Sequence, residues 1–335
     1  MLDARGLFTS PEWYPCSMDL RRRVVNFVRM SPQTYRETVF LDTRTLHVGT
    51  ETYQFKLDDL LLTASNTPAV PKKVLYILHP TFCCSTLLAR YFELLPDCFV
   101  LKEPMLLTQL AVASQRPTPD WNAAFDLAVR FLTRTYDPAD FVVIKAHEPC
   151  NALGRRLLDH NELASVTFLA TPLRHFLLAI LKSDFRRKWV RTRIPAAARA
   201  ARCRQLADIR PEDVNDAQAA AYLWLVNRFL YEQLVSGNTA PRVLALEGEM
   251  VAESPGLAIP AVMAKCGIHL QDEQLKFLID HPDVRRYSKD LSKPYDAASR
   301  RQEIAELEKQ WGNEADAAID WASRYSTTNA LEWSA

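Results

Sequence analysis

Five short runs of aliphatic and β-branched residues, separated by segments with helical periodicity, constrain the fold of this chain most strongly. The runs are KKVLYILHP (72–80), CFVLK (98–102), FVVIKA (141–146), SVTFLA (165–170) and RVLALE (242–247). Between and after them, apolar residues recur at three- and four-residue spacing in residues 84–95, 121–136, 174–190 and 217–235. Strands that alternate with helices predict an α/β protein with a central parallel sheet flanked by helices.

The segments outside this alternating pattern predict additions to one core. We expect an N-terminal addition at 1–70, an α/β core at 71–256 and a helical C-terminal extension at 257–335. Within the N-terminal addition, apolar residues alternate on both sides of Gly49 in residues 38–57, which predicts a β-hairpin. Residues 298–325 show a charged amphipathic pattern that predicts a long helix.

The glycines are few, and their positions exclude several nucleotide-binding loops. The chain has eight glycines, and none lies between residues 50 and 153. The GxGxxG turn of dinucleotide-binding proteins, the glycine-rich loop of kinases and the Walker A loop all need glycine at fixed positions. Sites of these three types are therefore excluded from residues 50–153.

The charge of the chain is nearly balanced overall but uneven along its length. A net charge of +1 gives no general reason to expect binding to nucleic acid or to an anionic membrane. Residues 182–210, however, contain ten Lys or Arg against two Asp or Glu. A basic segment of this kind suggests an anionic ligand. A solvent-facing helical surface would give the same pattern, so both interpretations stay open.

Several features predict a cytoplasmic protein with no membrane span and no metal. No stretch of 18 consecutive apolar residues occurs, and the first residues, MLDARGLFTSPEW, do not form the apolar core of a signal peptide. The seven cysteines have no paired spacing, which favours reduced thiols over a disulfide framework. Cys83 and Cys84 are adjacent, and no second pair lies at zinc-ligand spacing from them.

The segment HPTFCCST (79–86), between the first predicted strand and the next helix, is the best candidate for an anion site. In a strand–loop–helix unit, the loop amides and first-turn N–H groups point towards the ligand, and the helix dipole adds partial positive charge. Ser85 and Thr86 would add hydroxyl donors. Ser85 stands where a Walker A loop has lysine, which disfavours ATP chemistry. A plain connection between strand and helix is the alternative.

Two further strands end in a lysine followed by an ionisable base. LKEP (101–104) places Glu103 after the second strand, and IKAHEP (144–149) places Lys145 and His147 after the third. Ligands of parallel sheets bind at the carboxyl ends of the strands. A histidine that titrates near neutral pH suits general-base catalysis, and a lysine offsets negative charge on a transferred group. The sequence therefore predicts an active site at these strand ends.

Six segments, in this order and spacing, resemble motifs of the sulfotransferase family. HPTFCCSTLL (79–88) is similar to the 5′-phosphosulfate loop of the family, and IKAHEP to the KTHLP segment that carries its general base. LKEP resembles the EP element of the family, and VTFLATPLRHFLLAIL (166–181) resembles its fourth strand and the helix after it. WLVNRFL (224–230) resembles the W-x-x-x-N helix, and VLALEGEMVAESP (243–255) resembles the strand and helix that follow. The similarity covers about residues 72–256.

The resemblance implies a three-layer, P-loop-like fold and metal-independent transfer of a sulfuryl group from 3′-phosphoadenosine 5′-phosphosulfate to a hydroxyl of a small acceptor. It also implies that His147 removes the acceptor proton, with Glu103 as the competing base, and that Lys145 stabilises the sulfuryl oxygens. The donor would be bound by a loop that consists of Phe82, Cys83, Cys84, Ser85 and Thr86.

The chain departs from the family pattern at the residues that bind the 3′-phosphate and at the loop cation that assists the leaving group. Thr171 and Ala179 stand where the family has arginine and serine, and Phe82 stands where it has a loop cation. Arginine binds phosphate in bidentate fashion, so other basic residues are plausible replacements. The candidates are Arg174, then Lys182 with Arg186 and Arg187, and finally Arg285, Arg286 and Lys289.

Other functions and partners stay open from the sequence. Trp189, Trp224 and Tyr287 could stack on adenine or line an acceptor pocket, although Trp224 is predicted to belong to the core. A non-catalytic protein of this fold that binds a nucleotide or another protein, and an atypical P-loop kinase, are the alternatives to a sulfotransferase. The predicted partner is a small molecule and not nucleic acid, and a homodimer is compatible with the sequence.

Overall fold

The computed structural model describes residues 4–42, 51–137, 139–201, 203, 206, 208–286 and 297–325. The chain forms two compact units, Met1–Leu78 with Leu88–Val166 and His79–Leu87 with Thr167–Ala335. The predicted division at residues 70 and 256 stays a prediction.

The first unit contains a three-stranded antiparallel sheet with the strand order β1-β2-β3. Its strands are β1 (Trp13–Asp19), β2 (Val24–Arg29) and β3 (Thr52–Lys56). The turn between β1 and β2 forms because Asp19 Oδ1 accepts hydrogen bonds from the backbone N–H groups of Arg21 and Arg22, both at 2.9 Å. The short helices α1 (Pro32–Glu37) and α2 (Leu57–Ser65) follow β2 and β3.

The hairpin predicted around Gly49 differs from the structure in its pairing. Residues 52–56 form a strand as expected, but they pair with β2, from Val28↔Thr52 to Val24↔Lys56. Residues 38–42 form no strand, and residues 43–50 lie outside the described part of the chain. Leu41 instead donates its N–H to the carbonyl of Lys102 at 2.7 Å. Alternating apolar residues identify a strand, but they do not identify its partner.

The five apolar runs form the predicted parallel sheet, and the α/β fold class is confirmed. The strand order is β5-β6-β4-β7-β8. The strands are β4 (Lys73–Leu78), β5 (Cys98–Lys102), β6 (Phe141–Lys145), β7 (Ala164–Ala170) and β8 (Val243–Glu247). Every residue of β6 and β7 is buried, because both faces of these strands are covered.

The helices among the strands follow the predicted periodicity. Those from β4 to β7 are α3 (Ser85–Glu93), α4 (Met105–Ala113), α5 (Trp121–Leu132) and α6 (Gly154–His160). Those after β7 are α7 (Leu173–Leu181), α8 (Asp184–Ala201), α9 (Asp216–Val235), α10 (Met250–Glu253), α11 (Pro255–Lys265), α12 (Asp272–Asp280) and α13 (Ala297–Ser323). In the second unit α7, α8 and α13 all pack against α9, most of which is buried.

The single helix predicted over residues 174–190 is in fact two helices. α7 ends at Leu181, and α8 begins at Asp184 and continues to Ala201. The side chain of Ser183 accepts a hydrogen bond from the N–H of Arg186 at 3.4 Å, which is the contact of a helix N-cap. Ser183 therefore starts a new helix at a point where the apolar periodicity predicts one continuous helix.

None of the described helices combines the length and the apolar character that crossing a membrane requires.

Candidate functional site

The loop between β4 and α3 has an unusual backbone conformation. Thr81, Phe82 and Cys84 have φ angles of 88°, 55° and 59°, in the left-handed region that glycine normally occupies. A residue with a β-carbon in such a conformation costs about 1–3 kcal/mol, and strain of this kind is concentrated at functional sites. A left-handed turn that usually contains glycine is therefore made here by three larger residues.

A glycine packs against this loop instead of lying within it. Gly248 follows β8 and donates its N–H to the carbonyl of Ala170 at 2.8 Å. A β-carbon on Gly248 would lie 2.9 Å from the carbonyl carbon of Cys83, closer than real β-carbons approach backbone. Within the loop, His79 Nδ1 accepts a hydrogen bond from Thr81 N–H at 3.1 Å. These contacts hold the loop in its left-handed conformation.

The five loop residues predicted to bind the donor, Phe82 to Thr86, are consecutive and lead into α3. α3 begins at Ser85, so Ser85 and Thr86 lie in its first turn, where N–H groups have no partner within the helix. Cys83, Ser85 and Thr86 are buried, whereas Phe82 and Cys84 are half-buried. The loop therefore leads directly into the N-terminus of a nine-residue helix, where the first-turn N–H groups and the helix dipole favour negative charge.

Two arginines from different helices contact Phe82 within the described part of the second unit. The guanidinium of Arg186, on α8, lies 4.1 Å from the centroid of the Phe82 ring. Arg300, on α13, donates from Nη2 to the Phe82 carbonyl at 3.4 Å and to Glu249 Oε1 at 3.3 Å. Trp189 meets the Phe82 ring edge to face, with centroids 6.1 Å apart. Arg186 belongs to the predicted basic segment, whereas Arg300 was not predicted.

Arg174 and Lys182, both predicted to bind the donor, form ion pairs with α13. Arg174 contacts Glu308, with Nε 3.0 Å from Oε1, and Asp316, with Nη1 2.6 Å from Oδ1. These carboxylates raise the pKa of Arg174 above its ordinary value. Lys182 pairs with Glu303. The donor-binding role of both residues stays a prediction.

The remaining predicted residues of the second unit are more dispersed. Arg286 is exposed and follows a short 3₁₀ helix, Pro282–Arg285, and Arg285 pairs with Asp280 at 2.8 Å. Tyr287 and Lys289 lie outside the described residues. Trp224 is fully buried and donates from Nε1 to the Thr171 carbonyl at 2.7 Å, so its predicted core position is confirmed.

A charged cluster lies next to the loop. The buried carboxylate of Glu249 lies 3.7 Å from His175 Nδ1 and 3.3 Å from Arg300 Nη2. Burial raises the pKa of the Glu249 carboxyl, but His175 and Arg300 outweigh burial, and the pKa lies below its ordinary value. The Glu249 carboxylate in turn raises the pKa of His175. The cluster therefore holds an ionised carboxylate between two basic groups.

In the first unit, the ends of β5 and β6 bring two lysines side by side. Lys102 and Lys145 are register partners, and each forms a buried ion pair, Lys102 with Glu93 and Lys145 with Glu103. Burial lowers the pKa of Lys102. Glu103 has a φ of 54°, and its N–H donates to the Lys145 carbonyl at 2.6 Å. The predicted residues Lys145 and Glu103 are thus direct partners.

The third predicted catalytic residue lies shortly after β6. His147 is half-buried and immediately precedes a 3₁₀ helix, Glu148–Leu153, where its carbonyl accepts the N–H of Cys150 at 2.9 Å. Burial raises the pKa of the Cys150 thiol to about 12, which keeps that sulfur protonated and unreactive.

Among the residues that the structure describes, His, Cys, Asp and Glu side chains form no group of three that could hold a metal ion.

Comparisons with known proteins find similarity of fold only. No protein-family profile matches the chain, and no curated protein matches it in sequence. The sulfotransferase domain of the olefin synthase from Synechococcus PCC 7002 is 13% identical with a TM-score of 0.37, over 73% of this chain and 96% of that chain. A sulfotransferase from Alicyclobacillus acidocaldarius is 12% identical with a TM-score of 0.39, over 77% of this chain and 96% of that chain.

Retinol dehydratase, solved with androsterone and the inactive cofactor PAP, is 11% identical with a TM-score of 0.38, over 84% of this chain and 91% of that chain. Identities and TM-scores of this size assign neither a family nor a substrate.

Proposed function

We propose that this protein is a sulfotransferase-like enzyme that moves a sulfuryl group from 3′-phosphoadenosine 5′-phosphosulfate to a hydroxyl of a small acceptor. The observation that carries the proposal is the loop 79–86, in which three residues with β-carbons hold a left-handed turn at the start of α3. Strain at an anion-binding turn has a functional reason when the turn must present its amides to a ligand.

The chemistry matches the groups that the loop offers. A sulfuryl group carries less negative charge than a phosphoryl group, so backbone amides and side-chain donors can stabilise its transfer without the heavier electrostatic demand of phosphoryl transfer. Ser85 and Thr86 add hydroxyl groups next to the amides. In the reaction the acceptor oxygen bonds to sulfur while the bond from sulfur to the donor phosphate oxygen breaks.

His147 is the general base in this proposal. Glu103 is the competing base, but its carboxylate is held by the Lys145 ammonium, and the Lys145 side chain is only 2% exposed. That contact engages the Glu103 carboxylate, whereas His147 is half-buried and follows the strand end. The proton leaves the acceptor hydroxyl for the imidazole of His147, and the donor phosphate leaves as an anion.

Transfer of labelled sulfate from the donor to a panel of hydroxylated small molecules tests the proposal. We expect turnover by the full chain, and His147→Ala should lower it by about 10² to 10⁴, the usual scale for a general base. The control is His160→Ala, a histidine on α6 whose Nδ1 lies 3.3 Å from Asp126 and whose ring meets Phe125 edge to face. An unchanged rate in His147→Ala would move the role to Glu103.

A non-catalytic nucleotide-binding protein is the second candidate. It is favoured by the ion pairs that engage Arg174, Lys182 and Lys145, because paired cations interact less with a reacting group. Binding of adenosine 3′,5′-bisphosphate without any sulfate transfer would support it. Magnesium-dependent ATP turnover would instead support the kinase alternative. A cytoplasmic location, a hydroxylated small-molecule acceptor and a homodimer remain predictions.

A further inference from the structure

Two positive charges converge on one residue of the loop 79–86, although the loop contains no lysine or arginine. Arg186 approaches Phe82 from α8, over the face of the ring, and Arg300 approaches its carbonyl from α13. The two residues are 114 positions apart in sequence, so no local constraint explains the convergence; the tertiary fold brings them to the same turn. Both guanidinium groups therefore lie beside the loop, one at the ring and one at the carbonyl of Phe82.

Each arginine is fixed beside the loop by a different contact. The Arg186 guanidinium donates from Nη1 to the Ala179 carbonyl at 2.6 Å, and its face rests on the Phe82 ring, a geometry that favours a cation. Arg300 makes contacts of 3.3 and 3.4 Å with Glu249 and Phe82, slightly longer than the usual range of about 2.7–3.2 Å for an N–H···O hydrogen bond. Arginine–phosphate contacts are shorter, at about 2.7–2.9 Å, and stronger. A phosphate or sulfate at the loop would offer Arg300 a charge-assisted contact of that kind.

The ion pairs that engage Arg174 and Lys182 help to place Arg300. Glu308 and Asp316 bind Arg174, and Glu303 binds Lys182, which fastens α13 to α7 and its C-terminal end. α13 also carries Arg300, near its first residue, Ala297. The basic residues of α7 thus anchor the helix that brings a different cation to the loop.

We propose that Arg300, together with Arg186, binds the anionic group of the ligand at the loop 79–86, in place of Arg174 and Lys182. The ligand class is a nucleotide with phosphate or sulfate groups, and this choice rests on the proposed function. Glu249 is a positioning residue for Arg300, because it contacts the guanidinium 3.3 Å away and is itself buried.

Calorimetric titration of the full chain tests the assignment, with adenosine 3′,5′-bisphosphate and inorganic pyrophosphate as separate probes. Loss of a charged hydrogen bond weakens binding by about ten- to a hundredfold, and we expect this from Arg300→Ala and from Arg186→Ala. Arg300→Lys keeps the charge but loses the bidentate geometry, so its affinity should lie between wild type and Arg300→Ala.

The matched control is Arg301→Ala. Arg301 is the next residue of α13, its side chain is 63% exposed, and it contacts Glu253 at 3.6 Å. We expect Arg301→Ala to bind both probes within about twofold of wild type, because surface pairs contribute little. Thermal unfolding of every variant shows whether the fold is retained, and Arg300→Lys carries the test if Arg300→Ala does not fold.

The outcomes separate this inference from the proposed function. If wild type binds the bisphosphate and Arg300→Ala and Arg300→Lys bind it equally well, the inference is wrong and the donor assignment stands. The second outcome is that wild type binds pyrophosphate but not the bisphosphate, and that only the Arg300 and Arg186 variants lose pyrophosphate binding. In that case the inference stands and the donor assignment fails. Binding of neither probe by wild type overturns both.

Discussion

Gly248 and Cys83 pack backbone to backbone, with no room for a side chain between them. A β-carbon added to Gly248 would lie 2.9 Å from the Cys83 carbonyl carbon and closer still to its oxygen. The neighbour is main chain, which cannot swing away as a flexible side chain can. The position of the loop 79–86 therefore depends on a glycine 165 residues further along the chain.

Gly248→Ala should displace the loop. Because the added methyl group meets backbone, we expect a loss of unfolding free energy of about 1–3 kcal/mol, measured by urea denaturation, together with weaker nucleotide binding. Gly256→Ala is the control, since a β-carbon there would meet only Ile279 Cδ1 at 3.8 Å, an ordinary contact. Equal stability of the two variants would contradict the packing argument.

Thr81→Gly should stabilise the protein. Thr81 has a φ of 88°, and its buried hydroxyl oxygen has no hydrogen-bond partner among the described residues. Glycine removes both costs, so we expect the free energy of unfolding to rise by about 1 kcal/mol, measured by thermal or urea denaturation. The greater entropy of glycine in the unfolded chain reduces this gain. Thr81→Val separates the two effects, because it removes the hydroxyl and keeps the branched side chain. A destabilised Thr81→Gly would show that the left-handed turn is not strained.

Lys145 and Glu103 should be energetically coupled. The Lys145 side chain is 2% and the Glu103 side chain 12% exposed, so Glu103→Gln leaves a buried ammonium without its counter-charge, at a cost of about 3 kcal/mol or more. Lys145→Met should cost a similar amount of unfolding free energy. The double variant should lose much less unfolding free energy than the sum of the two single losses. Urea unfolding measures all three. Arg155→Ala, in an exposed pair with Asp159, should have no measurable effect. Additive losses at Lys145 and Glu103 would refute the coupling.

Stability should fall as the pH rises through neutrality, in part because of His175. Glu249 raises the pKa of His175, with burial and Arg300 opposing this and Glu247 adding to it. A histidine whose pKa is higher in the folded state stabilises the fold below its unfolded value of about 6.5, and this contribution is lost as the pH rises through the folded value. Unfolding measured from about pH 6 to 8 should show the decline.

His175→Gln removes the titrating group and should flatten that decline. His269→Gln, at an exposed position in the same unit, should leave it in place. If stability declined with pH by the same amount in His175→Gln as in wild type, a group other than His175 would be responsible for the pH dependence.

The sequence predicts the fold and the location of the loop better than it predicts the contacts of the site. The β-branched run before Leu78 and the helical periodicity after Ser85 are local patterns, so the loop between them is predictable. Arg300 lies 218 residues from Phe82, and no local pattern joins them. The left-handed conformation of Thr81 is equally unpredictable from the sequence, because threonine ordinarily avoids positive φ.

The pairing of Arg174 with Glu308 is a second contact that the sequence does not reveal. The two residues are 134 positions apart, and a basic residue after a strand is equally compatible with a ligand and with an acidic partner. Packing of α13 against α7 decides between them. Charge patterns along a sequence thus identify which residues are available, and the tertiary fold determines what they contact.

The left-handed turn without glycine also affects how the loop would bind the ligand that we propose. Thr81, Phe82 and Cys84 have fewer backbone states in the unfolded chain than glycine would, so the turn loses less conformational entropy when it becomes ordered. Its shape is set by folding, and little further ordering is needed when a ligand arrives. A glycine-rich loop of the same shape would lose more conformational entropy on folding, and this loop avoids that loss through the same residues that strain it.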